Sequence, residues 1–335
     1  MDFICNRTFA RAGLIGNPSD GYNGKTITII VKNFYAQVIL YEWNRLEIVP
    51  GFSDESYFHS IHDLAEDVRL HGYYGGIRLI KAAIYGFVSY CNERHLTLHD
   101  RNFSLRYATS IPRQVGLAGS SAIVVATLRA LMDFYGIAIP KQVLPSLVLS
   151  IERDQLGIPA GLQDRVAQVY EGCTYMNFAK DAMKTEDGFV VGEYENLSPS
   201  LLPPLYVSYS TDFSEPTEVF HNNLRFRYEH GEPAVVSAMQ QCAELTVRAR
   251  EALLAGRHEL LPALLNANFD VRRAICRLPK DQIAMVETAR SCGASANFAG
   301  SGGAIVGTYP DGVAFDKLTA AMKKIGCETV IPTVE

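Results

Sequence analysis

Residues 111–128 read IPRQVGLAGSSAIVVATL: a loop rich in glycine and serine that runs straight into an apolar stretch. The stretch predicts a helix over 120–135, stopped by Gly136 and apolar almost all round, hence buried. A buried helix still carries unpaired N–H groups in its first turn, and a bound anion can satisfy them. Gly116 and Gly119 let the backbone approach a ligand closely. The N–H groups of Gly119, Ser120, Ser121 and Ala122 can then point at phosphate oxygens. Either serine can cap the helix or reach a magnesium ion bridging phosphates. Taken alone, the loop equally fits a glycine turn with a serine cap.

Around this helix the pattern is irregular. Strands are expected over 8–16 and 26–41, with Asn33 as a break, and over 103–110, 205–209 and 328–332. Helices are expected over 54–71, 76–92, about 140–156, 233–255, 259–273, 281–292 and 313–325. Strands and helices do not alternate regularly, which indicates an α+β fold rather than a doubly wound sheet. The 335 residues suit two domains. The boundary is placed in the polar stretch 180–204, dividing the chain into residues 1–190 and 191–335.

Composition narrows the function. The net charge is −5 and the pI about 5.9, which disfavours a broad nucleic-acid-binding face. The seven cysteines are scattered and never spaced CxxC, which fits a reducing cytosol better than a disulfide framework or a zinc site. No signal peptide or membrane span is evident, since the longest apolar runs are broken by Arg78 and Lys81 or by Arg129 and Asp133. His59 with His62, and His95 with His99, lack acidic or cysteine partners at ligand spacing and are read as surface or packing residues.

Three further stretches bear on chemistry. GYNGKT (21–26) lacks the first glycine of a Walker loop, because position 19 is Ser19, and a strand rather than a helix follows it; it is read as a turn. IERDQLGIPAGLQDR (151–165) places Glu152 and Asp164 twelve residues apart. Phosphoryl transfer needs a metal to offset charge and a group to accept or orient a hydroxyl proton, and two carboxylates can serve. Solvated surface acids are the plain alternative. NFAGSGGAIVG (297–307) is a second glycine loop, before a strand; it can close over a phosphate or substrate, or be a tight turn with a bulge.

Taken in order, RAGLIGNPSD (11–20), PRQVGLAGSSA, Glu152 to Asp164 and NFAGSGGA resemble the motifs of the GHMP kinase superfamily, to which galactokinase, homoserine kinase and mevalonate kinase belong. The likeness is strongest to its sugar-acid kinases acting on D-glucuronate. It implies a two-domain α+β fold, with an N-terminal domain like ribosomal protein S5 domain 2 and a ferredoxin-like C-terminal domain. It also implies ATP and Mg²⁺ as cofactors. Gly116, Leu117, Ala118, Gly119, Ser120, Ser121 and Ala122 would wrap the ATP phosphates, and Ser121 with Glu152 would hold the metal. Asp164 would be the base, Arg11 would lie near the transferred phosphoryl group, and Asp20 would take sugar hydroxyls. Gly300, Ser301 and Gly302 would border the substrate. Two departures stand out: Asn17-Pro18 replaces the acid and histidine of galactokinases, and Ala118 is an extra residue in the loop.

A sugar acid carries a carboxylate, so its pocket should offer an arginine fork or several N–H donors. Arg113 and Arg165 are the nearest candidates in sequence, and Arg272 and Arg273 more distant ones. The expected ligands are therefore a sugar acid and ATP, on a monomer or homodimer. A kinase for galacturonate or a small alcohol, and a non-catalytic sensor of sugar and ATP, are the rival readings.

Overall fold

The computed structural model describes residues 3–50, 75–211 and 218–335, the side chains of 218–223 excepted. The helix expected over 54–71, with His59 and His62, lies outside the described residues. Two lobes follow one another along the chain. The first is built on a six-stranded sheet whose axis is β2 (Lys25–Trp43), a run of β-branched and aromatic residues. β1 (Ile4–Ile15) lies antiparallel to β2 along most of its length. β4 (Asn102–Thr109) pairs with the second half of β2 and β5 (Cys173–Asn177) with the first. β3 (Glu47–Val49) extends the sheet beyond β4, and β8 (Glu193–Leu197) beyond β5, so this sheet continues to Leu197.

The break expected at Asn33 is a bulge, not an end. Phe9 pairs with Tyr35 and the next residue, Ala10, with Val31, so three residues of β2 are left unmatched by β1. The C-terminal tail uses them: Lys32 donates its amide to the Thr333 carbonyl at 2.8 Å, and the Asn33 amide group bonds Ile331 and Thr333.

Helix α1 (Gly76–Glu93) and α2 (Gly119–Tyr135) pack together on this sheet. In α2 Asp133 is the one exposed residue, and left-handed Gly136 closes the helix. The helix expected over about 140–156 divides in two. α3 (Leu144–Ser150) ends in a single wide π-helical turn over Ile151–Gln155. Such turns re-aim side chains, and this one places Glu152 wholly inside. Gly86 of α1 makes room, since a Cβ there would lie 2.4 Å from Ile151. α4 (Gln163–Tyr170) follows. A small hairpin, β6 (Lys184–Glu186) with β7 (Phe189–Val191), precedes β8.

The second lobe carries an antiparallel sheet in the order β10-β11-β9-β12, formed by Asn297–Phe298, Ala304–Thr308, Leu205–Ser210 and Cys327–Val330. Its helices are α5 (Glu218–Glu229), α6 (Pro233–Leu254), α7 (Leu261–Ile275), α8 (Lys280–Ser291) and α9 (Gly312–Lys324). One buried apolar cluster runs through both lobes, joining Leu14, Ile27 and Leu128 to Leu245, Leu265 and Val306. Among the described residues, no helix is long and apolar enough to cross a membrane.

Candidate active site

The two glycine loops meet. In the first, Gln114, Gly116 and Ala118 all take left-handed conformations, with φ of 58°, 70° and 62°. This winds the chain so that α2 opens at Gly119; of the expected phosphate-facing amides, that of Ala122 instead closes the first helical turn on the Ala118 carbonyl at 3.3 Å. Gln168 of α4, fully buried, pins the loop by donating to the Ala118 carbonyl at 2.7 Å. In the second loop, between β10 and β11, the carbonyls of Gly300 and Ser301 accept from the buried Arg272 guanidinium at 2.8 and 3.1 Å. Across a planar trans peptide the N–H points opposite to the C=O. The amides of Ser301 and Gly302 are therefore turned away from Arg272. Both nitrogens lie on the Gly116 side, 3.1 and 3.2 Å from where a Gly116 Cβ would stand. A Cβ at Gly300 would lie 2.3 Å from the Gly116 carbonyl, so neither glycine tolerates a side chain without moving the other loop.

Arg11 ties the junction. From β1 it donates to the Gly116 carbonyl at 2.6 Å, to the Ala299 carbonyl at 3.0 Å and to Asp164 Oδ1 at 2.8 Å. Asp164 stands in the first turn of α4 with about a quarter of its side chain exposed, the rest of the group being buried. Its other oxygen lies 3.3 Å from Arg165, which in turn forms a buried pair with Glu152. Glu152 Oε2 accepts from Arg165 Nε at 2.6 Å and Oε1 from Ser120 at 3.0 Å. The result is a chain of alternating charge from Arg11 through Asp164, Arg165 and Glu152 to the start of α2. Burial pushes the Glu152 carboxyl up, and the Arg165 guanidinium and Ser120 hydroxyl oppose it.

Two sequence expectations change here. Ser120, not Ser121, meets Glu152; Ser121 turns back to the Ala118 carbonyl at 3.3 Å. Arg165 is not placed to receive a substrate carboxylate, because its guanidinium is buried on Glu152 and Asp164. Arg273 also lies elsewhere, paired with Glu287 on the surface. Arg113 is exposed on the approach to the first loop. His99 is a packing residue, stacked on Tyr135 and bonded to the Phe134 carbonyl. The 21–26 stretch is a turn, closed by left-handed Asn23 before β2. Gln168 was missed by sequence reading. Its signal is the i, i+4 spacing from Asp164, which puts both on one helix face.

Asp20 lies on the short turn after β1, with its carboxyl against Gly161, where a Cβ would come within 2.5 Å. Poor solvation, then repulsion from Asp164, raises its pKa from 3.8 to about 6, with Arg11 and the Gly21 amide opposing. A carboxyl whose folded pKa is raised stabilises the fold most below its unfolded pKa and loses that contribution as the pH climbs through 6. Asp20→Asn should therefore stabilise the protein by about 1–2 kcal/mol at pH 8, discounted for partial solvation. The gain should vanish near pH 4. Thermal unfolding at the two pH values tests this; a variant less stable than wild type at pH 8 contradicts it.

Comparisons with known proteins bear on this arrangement. Residues 78–172 match the family model described as "GHMP kinases N terminal domain". The chain is 45% identical over 322 residues to Glucuronokinase 1 of Arabidopsis thaliana, covering 94% of this chain and 87% of that protein. Among solved structures, Lactococcus lactis galactokinase complexed with galactose matches with a TM-score of 0.72 at 15% identity, over 99% of this chain and 94% of that one. L. major mevalonate kinase in complex with R-mevalonate matches with a TM-score of 0.68 at 18% identity, over 99% and 97%. These two show the shared fold, and the first relative shows the lineage. The chain belongs to the GHMP kinase family of small-molecule kinases, alongside the glucuronokinases.

Proposed function

We propose that the protein transfers the γ-phosphoryl group of ATP to the anomeric hydroxyl of D-glucuronate, giving glucuronate 1-phosphate and ADP. The likeness to a glucuronokinase over 94% of the chain supports the substrate. One observation carries the chemistry: the Arg11–Asp164 pair sits where two glycine loops converge. Asp164 takes or orients the proton of the attacking hydroxyl. Arg11 holds that carboxylate in place and lies close to the charge that spreads over the transferred phosphoryl group. The first-turn amides of α2 and those of Ser301 and Gly302 hold phosphate oxygens. Asp20 takes ring hydroxyls. In domain terms, the first lobe, whose sheet runs past the expected boundary at residue 190 to Leu197, carries the phosphate loop and base, and the second lobe contributes the second glycine loop.

Magnesium fits the donor set at the start of α2. Glu152 and Ser120 present two hard oxygens 3.0 Å apart. When bound there, the ion would offset the charge of the ATP phosphates. In this role Ser120 stands beside Glu152 where Ser121 was expected.

The test is ADP release from ATP and magnesium against glucuronate, galacturonate, glucose, galactose, mevalonate and homoserine. Glucuronate should give the highest kcat/KM. A preference for galacturonate would keep the sugar-acid kinase and change the acceptor. A preference for a neutral sugar, mevalonate or homoserine would reject the proposal.

A further inference from the structure

A sugar acid differs from the neutral sugar in one group, a carboxylate on the ring carbon far from the anomeric hydroxyl. Its recognition calls for a cation whose donors face the ligand. Three arginines near the reaction centre do not qualify. Arg11 donates to Asp164 and two carbonyls. Arg165 is buried on Glu152. Arg272 is 3% exposed and bonded to the second glycine loop.

A fourth arginine, which sequence reading did not single out, is differently placed. Arg225 comes from α5, and its guanidinium overhangs the turn that carries Asp20. Its Nη2 lies 3.5 Å from where a Gly21 side chain would begin, and its Cζ stands 5.8 Å from the Tyr22 ring centroid. The Gly21 amide bonds the Asp20 carboxyl, so Arg225 is one residue away from the group proposed to take ring hydroxyls. The Arg225 side chain is 55% exposed and makes no hydrogen bond within the described residues. Its ion pair, with Glu229 of the same helix, is long at 3.8 Å and solvated. Such a pair contributes little and is readily exchanged for a forked bond to a ligand carboxylate. Asp164 and Arg11 are within electrostatic reach of Asp20, and Arg225 stands over the next residue, Gly21. A pyranose ring lying over Asp20 with its anomeric hydroxyl at Asp164 directs its far end away from the reaction centre.

We infer that Arg225 receives the carboxylate of the sugar acid and sets the preference for acid over neutral sugar. This rests on the sugar-acid kinase reading above. The test uses the full chain with Arg225→Ala and Arg225→Lys, under steady-state kinetics with glucuronate, with glucose and with ATP as the varied substrate. Arg225→Ala should raise the KM for glucuronate about 10- to 100-fold, the loss expected for a hydrogen bond to a charged group. The KM for ATP and the kcat/KM for glucose should stay within about twofold, a split that general damage to the fold does not produce. Arg225→Lys should restore part of the loss. A wild type active on glucuronate whose Arg225→Ala variant keeps its KM, or loses glucose activity equally, overturns the assignment of Arg225 and leaves the kinase reading intact. A wild type that prefers a neutral sugar overturns both.

Discussion

Asp164→Asn should lower kcat by about 10²–10⁴-fold, the usual contribution of a positioned acid–base group, with the KM for ATP nearly unchanged. The substitution keeps the shape of the side chain. Asparagine Oδ1 can still accept from Arg11 Nε, so the β1–α4 contact at 2.8 Å survives. What is lost is the negative charge that can take a proton and that balances Arg11. A second effect follows from the same change. Asp164 is the acid whose charge raises Asp20, so neutralising it should bring the Asp20 pKa down from about 6. The acidic limb of the residual pH–rate profile should therefore move to lower pH. Steady-state kinetics across pH 5–8, with direct titration of a non-hydrolysable ATP analogue, measure both. A kcat within tenfold of wild type would remove Asp164 from the proton-accepting role. A large loss in analogue affinity would mean that the substitution had disturbed the phosphate loop.

The largest effect on stability is expected at Glu152→Gln. Glu152 is fully buried and its partner Arg165 has a side chain only 4% exposed. Removing one member of a buried pair leaves the other charged and out of water, at a cost of about 3–5 kcal/mol. The nearby Asp164 offsets this only partly, because its closest contact with Arg165 is 3.3 Å and its own main partner is Arg11. Ser120→Ala is the control: it removes one hydrogen bond to the same carboxylate and should cost about 1 kcal/mol. The double variant Glu152→Gln with Arg165→Met should recover part of the deficit, since it removes the stranded charge. Urea unfolding of the four proteins provides the comparison. A Glu152→Gln midpoint no lower than that of Ser120→Ala would show that the ion pair does not hold this part of the core.

Much of the fold is legible because long elements are set by pattern. The apolar run of α2, its glycine stop and the β-branched run of β2 lie close to where composition places them. The wide turn over Ile151–Gln155 is not legible in this way. An extra residue in a helical turn leaves the apolar spacing before it intact and alters only where later side chains point. β8 was unassigned because Tyr194, Glu195 and Asn196 look like loop; it is a strand because β5 offers an edge to pair with. At the site, the loop residues were readable as an anion cradle, whereas the meeting of Arg11 with Asp164, 153 residues apart, was not. Spacing says nothing about such encounters, and family resemblance supplied them. The two corrections share one cause. Ser120 and Ser121, and likewise Asp164 and Arg165, are helical neighbours, and successive side chains on a helix diverge by about 100°. A reading in one dimension cannot tell which of the two faces the cleft.

The tail bonded to the β2 bulge and the apolar cluster common to both lobes have a consequence for shuffling this gene with its relatives. A crossover in the segment joining the lobes would look safe, since the junction falls between sheets. Yet it would marry one parent's Leu14, Ile27 and Leu128 to another's Leu245, Leu265 and Val306, and one parent's Lys32–Asn33 bulge to another's final residues. Chimeras that keep both sets from the same parent, with exchanges confined to surface elements, should yield more folded progeny than those cut at the apparent joint. In this chain the unit of inheritance is the whole body, not the lobe.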